Sequence, residues 1–222
     1  MKKSLLTLAL VAGFSLSAGA HQVWLEREGS VAKAYYGHWS HDFMEKRSGK
    51  RLGEIKGKEV LPQGALQKSE PLEDGIELKL GKAKDIALIE ALDPRKGKMV
   101  ETIIRTTFLA RHGRSETKAL MELDLVPQSA EGNTFMLLFR DKPLARTKVT
   151  IYAPHKWSKS LMSDDEGKVT IQTPWKGMYL MEASYMDEAK GVVNGKEYEK
   201  SNYVMTLVFV NESGIAWVEP AK

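Results

Sequence analysis

The sequence contains no cysteine among its 222 residues. This absence excludes disulfide bonds and thiolate metal ligands. No long hydrophobic run follows the first 20 residues, so we expect no membrane span in the mature chain. The formal charge is only +4, and lysines are interspersed with acidic residues. This distribution is typical of a solvated surface and gives no reason to expect a nucleic-acid partner.

The first 20 residues have the organisation of a bacterial signal peptide. A basic start, Met1-Lys2-Lys3, precedes the apolar stretch 5–14 and the small-residue sequence Ala18-Gly19-Ala20. The apolar stretch is shorter than the roughly 20 residues that span a bilayer, and A-x-A is a cleavage signature. We therefore predict removal of residues 1–20, a periplasmic mature chain that begins at His21, and a formal charge that falls to +2 with Lys2 and Lys3.

Short alternating apolar runs separated by turn residues predict an all-β protein. We expect two β-sandwich domains of immunoglobulin or prealbumin type, or one elongated pair, with residues 21–130 forming an N-terminal metal-binding domain and residues 131–222 a C-terminal sandwich. One short helix is predicted over Asp42 to Lys50, and Lys56 to Asp74 is expected to be mostly loop. The predicted strands cover residues 22–27, 31–36, 76–80, 86–91, 100–109, 119–126, 134–140, 147–153, 158–162, 168–173, 178–186 and 202–210.

His21 gains an unusual combination of donors when the signal is removed. It then has both a free α-amine and an imidazole, and the amine and Nδ1 can close a six-membered chelate ring on one metal ion. An α-amine loses its proton near pH 8, so a metal displaces that proton readily at neutral pH. We therefore predict that His21 is a metal ligand.

A predicted hairpin brings further donors to His21. If residues 28–30 form the loop, His21 faces Gly37 beside His38, and a two-residue loop shifts the pairing by only one position. His41 and Asp42 follow in a bend that folds back over this end. The predicted ligands are thus His21, His38, His41 and Asp42, which suit nickel, cobalt or copper, with zinc as an alternative ion.

Other candidate residues have simpler interpretations. His112 is expected at a hairpin tip and His155 at a strand end, and either is a weaker ligand candidate. Asp164 to Gly167 lacks the complete pattern of a calcium loop and is interpreted as a turn. The sequence has no nucleophile elbow, phosphate-binding glycine loop or zinc-protease helix, so we expect no enzyme activity.

Several stretches resemble one family of periplasmic proteins. They are the processed start AHQVWLE, the segment YYGHWSHDFMEKRSGKRL, and the long stretch from Phe139 to Tyr185. The chain resembles the soluble component of nickel and cobalt uptake systems, a family also described as a domain of unknown function. The resemblance implies metal binding through His21 and transfer to an inner-membrane transporter or an outer-membrane receptor. His38 stands where that family has an acidic residue.

Two alternatives remain at this point. A copper oxygenase with an amino-terminal histidine brace also begins with histidine on a β-sandwich, and His112 or His155 would then supply its second imidazole. A structural or adhesion module would contain no metal. Calorimetry and peroxide production distinguish these alternatives from a metal-binding transport protein.

Overall fold

The protein is described by a computed structural model that covers residues 21–49, 51–97 and 101–216. The predicted signal peptide, Lys50 at the end of the predicted helix, and Val100 at the start of a predicted strand lie outside the described residues. Within them the chain is almost entirely β-structure, which confirms the predicted all-β, sandwich-like fold.

Most of the described chain forms strands, joined by turns and by two single-turn 3-10 helices. The 3-10 helices are Trp39–His41 and Leu52–Glu54. In the first half the strands are β1 Gln22–Glu28, β2 Val31–His38, β3 Phe43–Met44, β4 Glu59–Leu61, β5 Leu66–Pro71, β6 Ile76–Leu80, β7 Ile86–Ala91, β8 Arg95–Lys96, β9 Ile103–His112 and β10 Leu123–Pro127. In the second half they are β11 Thr134–Phe139, β12 Lys142–Pro143, β13 Lys148–Tyr152, β14 Ser158–Met162, β15 Lys168–Thr170, β16 Gly177–Asp187, β17 Gly191–Val193, β18 Lys196–Tyr198 and β19 Lys200–Asn211.

These strands form three main sheets and one small hairpin. The largest has the order β14-β13-β16-β19-β9-β7-β4, with β8 also paired to β9. A second sheet has the order β1-β2-β6-β5, with β3 on β2, and a third has β10-β11-β12, with β15 on β11. Strands β9 and β19 pair in parallel over nine positions. The large sheet therefore joins strands from before and after residue 130, and the domain boundary proposed there remains a prediction.

The large sheet lies between the other two. Its central strands are accordingly apolar on both faces. On β9, Phe108 and Ala110 pack with the core beneath β1, β2 and β6, whereas Leu109 packs with the core beneath β10, β11 and β15. Neighbouring residues of a strand point to opposite faces. Strand β19 divides in the same way, with Val204 on one side and Met205 on the other. Two sandwiches thus share one layer.

The helix predicted over residues 42–50 is wrong. The chain instead ends a 3-10 turn at His41 and pairs Phe43 with His38 in the β3–β2 ladder. Asp42 was predicted to begin a helix, but its φ of 49° is left-handed and terminates the preceding turn. A residue in that conformation cannot continue into a right-handed helix. The reversal that follows turns the chain back along β2.

The segment predicted to be mostly loop, Lys56 to Asp74, also differs from expectation. It contains β4 and β5, which pair with β7 and β6 at two sheet edges. The hydrophilic sequence of β5 is consistent with an edge strand, where much of the side-chain surface faces water. Elsewhere the strands 76–80, 86–91 and 158–162 have the predicted bounds, and the others agree to within a few residues.

Candidate metal centre

The β1–β2 hairpin places His21 beside His38. Its pairs run from Glu28 opposite Val31 to Gln22 opposite Gly37, around the two-residue turn Gly29-Ser30. This is the register with the shorter loop, one position from the one with loop 28–30. The next position along the ladder faces His21 toward His38. Their ring centroids are 4.4 Å apart, with an interplanar angle of 53°.

Glu45, the residue directly after strand β3, adds a carboxylate that is not among the predicted ligands. The Nε2 atom of His21 lies 2.6 Å from Oε1 of Glu45, and both side chains are mostly buried, with 16% and 19% exposure. The backbone N–H of Glu45 donates to the carbonyl of Tyr36 at 2.8 Å. Glu45 was expected inside the first turn of a helix. No local pattern identifies its contact with His21, because that contact depends on the pairing of β3 with β2.

Gly37 allows this close approach of β3. A Cβ atom at position 37 would lie 2.0 Å from the carbonyl oxygen of Phe43, a distance at which the backbone must move. The Phe43 ring covers the two imidazoles, with its centroid 6.4 Å from that of His21 and 5.9 Å from that of His38. The glycine therefore determines how closely Glu45 and Phe43 approach the two histidines.

The other two predicted ligands lie farther out. His41 is exposed, its ring centroid is 6.2 Å from that of His38, and its Nδ1 is 2.9 Å from the Ser40 hydroxyl. Asp42 forms an ion pair with Lys156, with 2.8 Å between Oδ1 and Nζ. The Lys156 ammonium also lies 3.6 Å from the centroid of the Trp39 ring. The structure thus brings His21, His38 and Glu45 together, places His41 at the margin, and directs Asp42 to a lysine.

Buried hydrogen bonds anchor the start of β1 on the large sheet. Gln22, the residue after His21, donates through Nε2 to the Glu182 carboxylate and accepts the Trp39 N–H at 3.4 Å. Tyr152 donates to the same carboxylate at 3.3 Å. Burial raises the pKa of Glu182, and burial followed by the Glu182 charge raises the pKa of Tyr152 to about 12. The Thr206 hydroxyl donates to the carbonyl of Val23 at 2.7 Å, so the two residues after His21 are bonded to strands of the large sheet.

The remaining histidines occupy other positions. His112 ends β9 and faces Ile86, and burial followed by the charge of Arg27 lowers its pKa to about 4. Arg27 is six residues along β1 from His21, which corresponds to about 20 Å in a strand. The ring of His155 packs edge-on against Trp175, with centroids 4.4 Å apart.

The segment Asp164 to Gly167 forms a turn, as the sequence predicts. One oxygen of Asp164 accepts the backbone N–H groups of Glu166 and Lys168, at 2.9 and 2.8 Å. This is the ordinary use of an aspartate to close a turn.

Within residues 21–49, 51–97 and 101–216, no three His, Cys, Asp or Glu side chains are arranged as a metal-binding group. The centre described above contains two imidazoles and a carboxylate hydrogen-bonded to one of them. Removal of residues 1–20, which the sequence predicts, would convert the peptide nitrogen of His21 into an amine and add a third nitrogen donor. The predicted metal site includes that amine.

Comparisons with known proteins add no assignment. A scan against protein-family models, a search of curated proteins and a search of solved structures found no match. The resemblance to nickel and cobalt uptake proteins therefore remains a prediction. No helix in the described part of the chain is long and apolar enough to cross a membrane.

Proposed function

We propose that the processed chain binds a late first-row divalent metal ion through His21 and delivers it to a membrane uptake system. The observation that supports this most directly is the packing of the His38 ring against the His21 ring at the predicted amino terminus, with 4.4 Å between ring centroids. Three nitrogen donors, namely the α-amine, a ring nitrogen of His21 and the His38 imidazole, then lie at the same end of one hairpin.

The donor types favour particular ions. Imidazole and amine nitrogens suit nickel, cobalt, copper and zinc, and the intrinsic affinity of such sites is highest for copper(II). Nitrogen-rich sites disfavour calcium and magnesium, which prefer oxygen ligands. His41 is the next nearest imidazole, and it reaches the ion through a change in the exposed turn 39–42. Asp42 must leave Lys156 to become a ligand, so we place it last among the predicted donors.

A role in transport is supported by the predicted signal peptide and by the family resemblance. Both imply a periplasmic chain that meets a metal ion outside the cytoplasm. The ion is then cargo, and the partner is an inner-membrane transporter or an outer-membrane receptor. A site at the exposed end of a hairpin, closed mainly by Phe43 and by the turn 39–42, suits an ion that must be released again.

The test is metal titration of the chain that begins at His21. Nickel, cobalt, copper and zinc are titrated by calorimetry in competition with a chelator of known affinity. A matched chain has Ser-Gly-Pro ahead of His21, where the proline interrupts the run of main-chain nitrogens that a new terminus would offer. We expect this extension to weaken binding by roughly 100-fold or more, about 2.7 kcal/mol, because the amine and its chelate ring are lost.

Two substitutions complete the test. His38→Gln is expected to weaken binding by about tenfold or more, whereas His112→Gln, at the end of β9 and far from His21, leaves it unchanged. Equal affinity of the processed and extended chains would refute the proposed role of the terminus. If all four ions give no heat with the processed chain, the metal-free structural module becomes the better assignment. Peroxide production by the copper form with a reductant would instead favour the oxygenase.

A further inference from the structure

The contact between His21 and Glu45 determines which nitrogen of the His21 ring faces the metal ion. A carboxylate accepts hydrogen bonds and donates none, so the ring nitrogen 2.6 Å from Oε1 of Glu45 must bear the proton. That nitrogen is Nε2. In a neutral imidazole the other nitrogen, Nδ1, then has the free lone pair.

Only one of these two ring nitrogens can bind the same ion as the α-amine. Nδ1 closes a six-membered ring with the α-amine around one ion, whereas Nε2 lies on the far side of the imidazole and cannot share an ion with that amine. A hydrogen bond from the non-ligating nitrogen to a carboxylate is also the usual way in which proteins orient a metal-binding histidine.

The position of Glu45 is itself fixed by the backbone. Its N–H bonds to the Tyr36 carbonyl at 2.8 Å, directly after the ladder that pairs Met44 with Gly37. The Glu45 side chain is mostly buried at 19% exposure. The backbone of Glu45 is therefore held by β2, the same strand that supplies His38. Asp42, the carboxylate favoured by the sequence, has a different partner in Lys156.

We infer that Glu45 is the positioning residue of this centre: it holds the Nε2–H of His21 and so presents Nδ1, together with the α-amine, to the ion. This inference rests on the proposed function but makes a claim that is measurable without metal. It assigns Glu45 to the outer shell around the ion, and it makes the donor pair of His21 preorganised before the ion arrives.

The first measurement uses metal-free, processed protein labelled with ¹⁵N at histidine. Nitrogen spectra at about pH 7.5 distinguish a protonated from an unprotonated ring nitrogen. We expect His21 to be protonated at Nε2 and unprotonated at Nδ1. Glu45→Met keeps the length of the side chain but removes the acceptor, so the ring should shift toward a mixture of tautomers. Glu45→Gln retains an amide oxygen and should show an intermediate effect.

The second measurement is the affinity of the same chains for copper(II) and nickel(II). Loss of an outer-shell carboxylate typically weakens metal binding by about 10- to 100-fold, and we expect this for Glu45→Met, with a smaller loss for Glu45→Gln. Glu70→Met is the matched control, because it removes an ion-paired carboxylate from another strand. Its affinity should equal that of the unsubstituted chain.

The outcomes separate the inference from the proposed function. A wild-type His21 ring protonated at Nδ1, or a Glu45→Met chain with the wild-type tautomer and the wild-type affinity, would overturn the role of Glu45 while metal binding stands. Absence of binding by the unsubstituted processed chain would overturn the proposed function, and the tautomer spectrum would still report whether Glu45 orients the ring.

Discussion

Protonation of His112 should make the folded protein less stable in acid by an amount that the structure allows us to calculate. The ring lies at the end of β9, and its Nε2 atom is buried with no hydrogen-bond partner among the described residues. Burial, with a further contribution from Arg27, lowers its pKa from 6.5 to about 4. In the unfolded chain the ring regains the ordinary value, so the unfolded state binds more protons than the folded state between these two pH values.

Stability must therefore fall as the pH falls through this window. Each pKa unit corresponds to about 1.36 kcal/mol, so the contribution of His112 is close to zero above pH 7, about 2 kcal/mol at pH 5 and about 3 kcal/mol at pH 4. Below about pH 3 the loss is complete, at about 3.4 kcal/mol, and the curve for this residue becomes flat. Acids with raised pKa values, such as Glu90 and Glu182, act in the opposite direction, because their protonated form is favoured by folding.

Urea unfolding of metal-free protein at several pH values between about 7.5 and 4 isolates the His112 contribution. In the difference between the unfolding free energies of the unsubstituted chain and His112→Gln, the contributions of all titrating groups that the two chains share cancel. We expect this difference to shift by about 2 kcal/mol toward the variant between pH 7.5 and pH 5. Leu109→Ala, a destabilising neutral change on the same strand, should retain the full pH dependence. Parallel curves for wild type and His112→Gln would refute the lowered pKa.

Three further predictions concern the fold and its connection to the site. Arg111→Met should lower the unfolding free energy, measured by urea titration, by about 3–5 kcal/mol. The guanidinium of Arg111 lies 2.6 Å from the Asp85 carboxylate and 3.0 Å from that of Asp124, and both buried carboxylates would lose this partner. A loss below about 1 kcal/mol would contradict this account. Gly37→Ala should weaken nickel or copper binding by about tenfold, because the added Cβ displaces β3. The control is Gly53→Ala, whose added Cβ has no atom within 4 Å and which should bind as wild type. Equal affinities of Gly37→Ala and wild type would show that β3 does not position the site. A fragment of residues 131–222 should be unfolded, as measured by circular dichroism and NMR, because β19 loses its nine-position pairing with β9. A folded fragment would instead support the predicted domain boundary.

Local sequence patterns were sufficient for the longer strands of the cores and for the hairpin at the site. Apolar alternation predicted β1 and β2, and the short turn limited the register to neighbouring alternatives. The placement of His21 near His38 followed from that pairing alone. Both residues lie on one hairpin, so no long-range contact had to be predicted.

The segment after His38 could not be predicted in the same way. Asp42 and Gly49 have the residue types of helix ends, yet the left-handed Asp42 and the pairing of Phe43 with β2 produce a strand. The partners of the two carboxylates, His21 for Glu45 and Lys156 for Asp42, depend on this tertiary arrangement. The polar edge strand β5 was missed because its exposed side chains give no apolar alternation.

The anchoring of β1 has a consequence for the order in which the molecule is assembled. Val23 is held by Thr206, and Gln22 by Glu182, so strand β1 rests on β16 and β19, which are synthesised much later. A chain that ends before those strands lacks that support. In the processed chain that we propose, the donors of His21 would reach their places only after nearly all of the chain has folded, which would restrict metal capture to finished molecules.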